Sequence, residues 1–581
     1  MAERKIWLIL IIFLILIIKE KSKKTSPLKC GNPSKITPKG ISPIPNKNNL
    51  QSRRHLEYKD FKIVLETKNI ETEIKLYKLT KYQYIILNAM TEALKNIQSL
   101  FKVRKIDCYT FKENFVEEFG YHYWDKEKFG ISGSKKNFSN CNYDIYLLIF
   151  TRFFNDTEMK NGEYDISSEP LYIDSSTGQP IVGSAIINRN IDFSKKNTKN
   201  YLEFLFFHIF THILGFNGFI MNKYFHNIYS KLDSGGIKRS YLNSTKVVSV
   251  AKEYFNCYTI IGVEIEGSID SKKEIHWKGR ILLGEYMTHI YTEEHDISEL
   301  TLALLEATGY YQINYYTGGL MRYGKNKGCK FLEEKCIQNS KTNQNFENEF
   351  FDTIYSNSKY DTSCSSGRQS RTYFYFHQYN ESIPFYYNYF FQEKIGGLNN
   401  ADYCPVSTAY MPEESNSFYS GRCSDLGNGE YGTKILYSEN KKNTFYKSKD
   451  IKNITGETFS ERSFCYQSSL IKEKEPKFDI YSKVVRAVCY ETFCSSQSLT
   501  IKIHENYIVC PRAGGKIEVE GYGGYLMCPD YNLICTGTVL CNDIFDCIKK
   551  KSTEKYNTYS YNYNIKTTQN FGRFKEENAD N

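Results

Sequence analysis

The chain has 581 residues, and 41% of them are hydrophobic, which is enough apolar material to build several buried cores. Its formal net charge of +10 is spread over many lysines, with no basic block beyond residues 549–551. Dispersed positive charge of this kind argues against a nucleic-acid-binding protein. The composition therefore predicts a globular protein whose function must be inferred from local motifs.

The N-terminus has the pattern of an export signal. Arg4 and Lys5 precede an uninterrupted apolar run from Ile6 to Ile18, and charge resumes at Lys19. This run suits the hydrophobic region of a signal peptide and falls short of the roughly 20 residues that span a bilayer. No clear small-residue cleavage site follows, so an uncleaved signal anchor is the alternative and would be the only membrane attachment. We expect a secreted or cell-surface protein of the secretory pathway.

The cysteines fit an oxidising compartment, where spaced cysteines form disulfides. Of the 17 cysteines, Cys30 stands apart, and the remaining sixteen, from Cys108 to Cys547, permit eight disulfides. A glycoprotein is predicted by five Asn-x-Ser/Thr sequons, at Asn137, Asn155, Asn243, Asn380 and Asn453.

The first predicted elements are a leader, a helix and two buried strands. Residues 19–80 hold five of the 13 prolines and little apolar periodicity, which predicts a pro-segment or an exposed leader. Apolar residues recur near helical spacing over residues 84–101. The apolar runs 143–150 and 180–187 predict buried strands. Residues 201–216 are apolar on all sides, as expected for a helix buried in the middle of a domain.

The later elements are less regular. Gly215 should end the buried helix, and the polar stretch 221–270 resembles an insertion. A helix is predicted over residues 298–308, and Cys329 and Cys336 predict a disulfide-braced lobe. We divide the chain into a signal (1–18), a pro-segment (19–80), an N-terminal catalytic-type lobe (81–270), a central lobe (271–400), a cysteine-rich C-terminal domain (401–547) and a polar tail (548–581).

His208 and His212 lie four residues apart on the predicted buried helix. Such residues are separated by about 40° around the helix axis and about 6 Å along it, so both imidazoles can reach one metal ion. This is the spacing of the zinc-peptidase motif H-E-x-x-H, followed at Gly215 by the x-x-G of its metzincin version. Ile209 occupies the position of the motif glutamate. Two buried histidines bonded to backbone groups are the alternative interpretation.

Further motifs make the pattern specific. They are Ile275-His276-Trp277-Lys278-x-Arg280, Glu285-x-Met287, a Gly-Tyr-Tyr-Gln segment at 309–312, Gly328-Cys329-x-Phe331-Leu332-x-x-x-Cys336, and a Cys-Pro-Asp-Tyr-Asn-Leu-Ile-Cys-Thr-Gly run at 528–537. Together they resemble the leishmanolysin family of surface metallopeptidases over roughly residues 84–547. The resemblance implies an α+β fold, in which a metzincin-type zinc-peptidase domain with a mixed sheet and a buried active-site helix precedes a disulfide-rich C-terminal domain.

The resemblance also assigns roles to residues. His208, His212 and His276 would bind one Zn²⁺ per chain, and Met287 would form the base of the site. Three neutral imidazoles leave a fourth position for water, which is the arrangement of a catalytic zinc.

Some roles have alternatives. His226 and His289 are rival third ligands that lack the surrounding motif, and Glu285 is expected to be structural. Cys30 would suit a zymogen, because a pro-segment thiolate can occupy the open position of a zinc ion. A stray or intermolecularly paired thiol is the alternative for Cys30.

Ile209 determines the functional expectation. In the family, the glutamate takes a proton from zinc-bound water and later delivers one to the leaving amine, and isoleucine can do neither. That help is worth about 10² to 10⁴ in rate, or roughly 3 to 5.5 kcal/mol. Zinc alone lowers the pKa of its water to about 7, so trace hydrolysis is conceivable. Glu203 lies five residues before His208, which is about 7.5 Å along the helix axis. Its carboxylate is therefore too far from the metal to replace the motif glutamate.

We therefore expect a zinc metalloendopeptidase homologue with impaired hydrolysis of polypeptides. The alternative is a catalytically inactive zinc-binding protein that serves adhesion or peptide binding. A sequence error at codon 209, or an exported disulfide-rich structural protein without metal, would also account for the altered motif.

Overall fold

The computed structural model describes most of the chain between residues 39 and 535. The described residues are 39–41, 57–66, 80–105, 110–113, 136–139, 143–152, 166–188, 198–233, 235–266, 275–290, 292, 294–313, 321–346, 349–351, 362–374, 377–409, 421–426, 436–439, 442–445, 454–472, 485–495 and 497–535. The predicted export signal, Cys30 and the polar tail lie outside these residues.

A mixed five-stranded sheet forms the first layer. The strands of this part of the chain are β1 (Lys39–Ile41), β2 (Tyr58–Asp60), β3 (Ile63–Glu66), β4 (Phe101–Arg104), β5 (Thr110–Glu113), β6 (Lys136–Ser139), β7 (Ile145–Arg152), β8 (Ile166–Asp174) and β9 (Pro180–Asn188). The sheet order is β1-β8-β9-β7-β3, with β8 and β9 antiparallel and the other neighbours parallel. The predicted strands 143–150 and 180–187 are thus confirmed as β7 and β9, whose apolar runs suit buried, mainly parallel strands.

The α-helices among the described residues include one that packs against this sheet. They are α1 (Thr80–Leu100), α2 (Thr198–Leu214), α3 (Gly218–Ile220), α4 (Thr245–Phe255), α5 (Gly279–Leu282), α6 (Glu299–Ala307), α7 (Cys329–Glu333) and α8 (Tyr531–Cys535). Helix α2 packs on α1 and on strands β8 and β9. A Cβ at Gly183 of β9 would lie 2.2 Å from Cγ2 of Ile213, so only glycine permits this close approach of helix and sheet.

Helix α2 is apolar because it is a core helix. Within the described residues, the stretch 201–225 is long and apolar enough to cross a membrane, but 89% of its most apolar window is buried inside the protein. The predicted end of the helix is confirmed, since α2 stops at Leu214 and Gly215 has φ +140°. Such burial on all sides explains the absence of a polar face in this segment.

A second sheet follows α2 and carries the third histidine. It consists of β10 (Ile228–Leu232), β11 (Lys238–Leu242), β12 (Val263–Glu266) and β13 (His276–Trp277), all antiparallel and in chain order. The described part of this polar stretch, residues 221–233 and 235–266, therefore folds into a π-helical turn at Met221–Phe225, strands β10 to β12 and helix α4. Its mixed composition arises because β11 alternates buried and more exposed residues, as in a sheet with one solvated face.

The remaining strands are short and lie mostly in the C-terminal half. They are β14 (Tyr311–Ile313), β15 (Ile337–Gln338), β16 (Lys341–Thr342), β17 (Thr362–Cys364), β18 (Arg371–Phe374), β19 (His377–Gln378), β20 (Ile395–Gly396), β21 (Ser407–Ala409), β22 (Leu436–Glu439), β23 (Lys442–Phe445), β24 (Ser463–Ser468), β25 (Ile471–Lys472), β26 (Arg486–Cys494), β27 (Leu499–Ile503), β28 (Asn506–Cys510), β29 (Gly515–Ile517), β30 (Tyr522–Gly523) and β31 (Leu526–Cys528). A six-stranded sheet of order β28-β27-β26-β24-β31-β29 is the largest among them.

Disulfides brace the second half of the chain. Among the described residues the pairs are Cys257–Cys329, Cys336–Cys404, Cys364–Cys465, Cys423–Cys489, Cys494–Cys535 and Cys510–Cys528. Cys329 and Cys336 brace their lobe through distant partners and not through each other. Together with the mixed sheets and helices, these disulfides confirm the α+β class and the disulfide-rich C-terminal region.

The hydrophobic core is continuous across the predicted boundary at residue 270. One cluster of buried side chains extends from Phe61 to Val406, and a second extends from Phe464 to Cys535. The backbone pairing of β12 with β13 also crosses residue 270. The N-terminal and central lobes therefore share one core, which places the third histidine against the same interior as α2.

Part of the predicted leader belongs to the folded body, so an exposed leader is wrong for residues 57–66. Strand β2 pairs with β4, β3 pairs with β7, and Phe61 is only 4% exposed. These strands are held by backbone hydrogen bonds to their neighbours, which composition and apolar periodicity do not reveal. The pro-segment role remains a prediction.

Candidate metal centre

Helix α2 presents His208 and His212 from its last two turns, both 0% exposed. Nδ1 of His208 lies 2.5 Å from the carbonyl oxygen of Tyr286, and Nδ1 of His212 lies 2.8 Å from that of Phe216. A carbonyl oxygen can only accept, so each Nδ1 carries the proton. In each neutral imidazole, Nε2 therefore carries the lone pair that a metal requires.

The third histidine is delivered by strand β13. His276 pairs with Glu266 of β12 and is 4% exposed. Trp277, the next residue, is held on two sides. Its backbone nitrogen donates to the Met287 carbonyl at 3.0 Å, and its indole nitrogen donates to Thr301 at 2.8 Å. Backbone pairing and a buried tryptophan thus fix the direction of the His276 side chain.

The three histidines converge on one point. Their Nε2 atoms are 3.0 Å apart for His208 and His212, 3.2 Å for His212 and His276, and 3.3 Å for His208 and His276. Two nitrogen atoms that each lie ~2.05 Å from a tetrahedral zinc are ~3.3 Å apart. Because the two helix nitrogens both carry lone pairs, a cation between them accounts for their approach. The donor set and its spacing fit a zinc ion.

Burial keeps the cluster in its metal-binding form. It lowers the pKa of His212 to about 4, despite the opposing bond to the Phe216 carbonyl. Burial also lowers the pKa of His208 and of His276 well below the usual value, reinforced by the neighbouring imidazoles. All three side chains are therefore neutral at pH 7, and a neutral imidazole is the form that binds a metal.

Among the described residues, no carboxylate belongs to the cluster that the three histidines form. In the part of the chain that the structure describes, the side chains grouped to hold a metal are the three histidines alone. Ile209 is 0% exposed and packs in the main hydrophobic core. The position next to His208 is therefore occupied by a hydrocarbon side chain that can neither accept a proton nor bond to water.

A turn after the third histidine packs against the site, because its Tyr286 carbonyl accepts from Nδ1 of His208. Met287 is 0% exposed, and its backbone nitrogen donates to the Glu285 carboxylate at 2.5 Å. The same carboxylate accepts from Thr301 at 2.5 Å and from the Ser298 backbone nitrogen at 3.1 Å, at the start of α6. Burial raises the Glu285 pKa to about 7, against the pull of these donors. Glu285 is structural, as expected from the sequence.

An ion network that the sequence did not indicate anchors the strand of the third ligand. Asp402 bonds to Lys278 at 2.8 Å and to Arg239 at 2.8 Å, and Arg239 also bonds to Glu264 at 2.5 Å. Burial alone would raise the Asp402 pKa, but the Lys278 and Arg239 cations outweigh it and hold that pKa below its usual value. Arg239, Glu264 and Asp402 also line a cavity of about 420 Å³. Since Lys278 is two residues from His276, the network restrains the strand that carries the third histidine.

The rival third ligands take other positions. His226 is exposed and has a left-handed backbone with φ 51°. His289 is half-buried, with its ring centroid 4.9 Å from that of His276 and its Nδ1 2.8 Å from Nδ2 of Asn400. The converging set consists of the three histidines named from the sequence.

Comparison with known proteins gives one consistent result. Residues 172–541 match the peptidase family M8, described as leishmanolysin. The chain is 26% identical over 318 residues to leishmanolysin of Leishmania tropica, covering 52% of this chain and 42% of that protein. It is 30% identical over 322 residues to a leishmanolysin-like peptidase of Caenorhabditis briggsae, covering 50% and 45%. It is 29% identical over 234 residues to a leishmanolysin homolog of Crithidia fasciculata, covering 40% and 34%. The matched segments thus span less than half the length of these relatives.

Proposed function

This chain belongs to the leishmanolysin family, and from that membership we propose that it is a metallopeptidase homologue that holds one Zn²⁺ through His208, His212 and His276. The observation that carries the proposal is the approach of the three Nε2 atoms to 3.0–3.3 Å of one another. Backbone carbonyls fix the ring orientation of the two helix ligands. Met287, which is buried in the turn after His276, is proposed as the base of the site.

The chain's own residues decide how much chemistry such a site performs. A bound zinc ion supplies a Lewis acid and lowers the pKa of its water to about 7. The histidines hold and orient that ion, but Ile209 cannot receive the proton of the attacking water or return it to the leaving amine. We therefore propose that peptide hydrolysis is slower than in a member with the glutamate by about 10² to 10⁴.

The proposed substrates or partners are exposed polypeptide segments in the secreted space or at the cell surface. Six disulfides among the described residues support an oxidising environment. The apolar N-terminal run supports export, and it would provide the membrane attachment if it is retained. Glycosylation at the sequons and a zymogen role for Cys30 belong to the same proposal.

A second candidate function is binding without cleavage. The buried hydrocarbon side chain of Ile209 favours it, because a metal-supported fold can present a peptide or adhesion surface without a general base. The two candidates share the metal site and differ in turnover, so one set of measurements separates them.

The test begins with metal content. Elemental analysis of the purified protein should give one zinc per chain, and the variants His208→Ala and His276→Ala should each lose most of it. His226→Asn is the matched control, because it removes an exposed histidine at a left-handed position that asparagine tolerates. Less than one zinc per wild-type chain after incubation with excess Zn²⁺ would reject the proposed site.

Turnover is then measured with a peptide library. Slow cleavage that a chelator abolishes and zinc restores supports an impaired peptidase. No cleavage by zinc-loaded protein supports the binding function. Cleavage at rates usual for a metalloendopeptidase would contradict the proposed effect of Ile209.

A further inference from the structure

We propose that His289 is a fourth protein ligand of the metal, and that it closes the coordination position a peptidase zinc keeps for water. The inference rests on the proposed three-histidine site. It changes the character of that site from open and catalytic to closed, with four imidazole nitrogens.

A backbone bridge brings His289 close to His276. Trp277 and Thr288 form a parallel β-bridge, and the Trp277 nitrogen donates to the Met287 carbonyl at 3.0 Å. His276 precedes Trp277 and His289 follows Thr288, so the bridge holds the backbones of the two histidines side by side.

The spacing of the imidazole rings agrees with this placement. The ring centroids of the three converging histidines are 4.7, 4.9 and 5.3 Å apart. The His289 centroid lies 4.9 Å from that of His276, and the two rings meet edge to face at 75°. His212 and His276 meet in the same way, at 4.9 Å and 87°. His289 thus continues the ring arrangement of the metal site.

Asn400 holds His289 at Nδ1, the ring atom that backbone carbonyl oxygens hold in the two helix ligands. The Asn400 atom placed 2.8 Å from this Nδ1 is the amide nitrogen Nδ2. Because a half-turn of an Asn amide exchanges oxygen and nitrogen, the contact can serve an Nδ1–H donor and place the lone pair on Nε2. Metal-bound histidines characteristically have the other ring nitrogen hydrogen-bonded in this way.

The support for Asn400 is itself fixed. Asn400 belongs to a 3₁₀ turn, Asn399–Ala401, and the next residue is Asp402 of the ion network. His276 and His289 are therefore held by the same buried group of charges, one through Lys278 and the other through Asn400.

The proposed ligation accompanies metal uptake. In this structure the ligand nitrogens of His208, His212 and His276 lie within 4.8 Å of one another. His289 is outside this group, with its ring against that of His276. The three grouped side chains are buried, whereas His289 is half-buried. A small turn of this more exposed ring toward the metal costs less repacking than movement of a core side chain. A site that lacks a general base at Ile209 uses metal-bound water poorly, whereas a fourth nitrogen holds the ion more tightly.

The test uses the full chain loaded with Co²⁺ in place of zinc, because its visible spectrum reports coordination. Azide is the probe, since it binds only where a coordination position is exchangeable. The wild-type spectrum should not change with azide, and X-ray absorption of the zinc form should count four imidazoles. In His289→Phe, which keeps the ring contact but has no nitrogen, azide should shift the spectrum. The zinc affinity of His289→Phe should be more than roughly 10-fold lower than that of the wild type. Loss of only the hydrogen-bond partner of a metal ligand costs at least that much, and loss of the ligand itself should cost more.

The outcomes separate the two proposals. Azide binding to the wild type, or a count of three imidazoles, would overturn the role of His289 and leave the three-histidine site intact. Failure of the wild type to bind either metal would reject the proposed function itself. Both decisive measurements use the wild type, so they stand even if His289→Phe does not fold, and His226→Asn controls for the removal of a histidine.

Discussion

Replacing Ile209 by glutamate tests the reasoning about the missing base. Ile209 is 0% exposed, so the substitution removes a buried apolar side chain that contributes about 1.5 to 3 kcal/mol of folding free energy. Ile209→Gln carries the same cost and has the shape of glutamate, but it cannot accept a proton. The ratio of rates between the two variants therefore isolates proton transfer from packing and metal content.

We expect zinc-loaded Ile209→Glu to cleave peptides about 10² to 10⁴ times faster than Ile209→Gln, which corresponds to roughly 3 to 5.5 kcal/mol in the barrier. The assay is fluorescence release from a peptide library, with chelator and zinc add-back. Because a fourth nitrogen would keep water off the metal, the same pair is also made with His289→Phe. The full gain is expected in that background, with a smaller gain when His289 is present.

The reasoning would be refuted by one clear result. If Ile209→Glu and Ile209→Gln fold, each hold one zinc and cleave at equal rates in both backgrounds, the absence of a base at this position does not limit activity. The site would then owe its slow turnover to another part of the cleft.

Three further outcomes follow from the same contacts. For the zinc-free protein, the His212 pKa of about 4 in the folded state lies below its unfolded value near 6.5, so stability present above pH ~6.5 is lost as the pH falls toward 4. Urea unfolding at pH 7, 6 and 5 should show a decline of about 2 kcal/mol from this residue between pH 7 and pH 5. Arg239→Gln should destabilise the protein by about 3 to 5 kcal/mol, because it strips buried carboxylates of their cation. Thermal unfolding measures the effect, and the exposed Lys231→Gln on the same sheet should change little. Glu285→Gln should weaken the turn by about 1 to 3 kcal/mol, since a neutral amide replaces a carboxylate with several buried donors, and it should lower zinc affinity in a competition titration.

The closeness of His208 and His212 could be predicted because their relation is local. His208 and His212 are brought together by the pitch of one helix. That helix is predicted by an apolar run and by the glycine that ends it. His276 lies 64 residues after His212, and its position depends on the pairing of β12 with β13. Only the resemblance to a family pattern singled it out, because no periodicity links residues so far apart.

Other parts of the site left no sequence signal. The oxygen that orients His208 is the backbone carbonyl of Tyr286, and any residue type supplies a carbonyl. Asp402 meets Arg239 across 163 residues, so neither charge could be distinguished from the many solvated ones. The cysteine count predicted disulfides, but pairing depends on which segments pack together, and Cys329 bonds to Cys257 and not to its neighbour Cys336.

The disulfide Cys336–Cys404 connects cysteine pairing with the metal centre. It links positions 68 residues apart and ends two residues beyond Asp402, whose carboxylate restrains the strand of His276. A chain in which this bond has not formed lacks the covalent tether that holds Asp402 near the strand of His276. We therefore expect the reduced chain to hold the proposed metal less tightly than the oxidised chain, so that bound metal would report correct cysteine pairing.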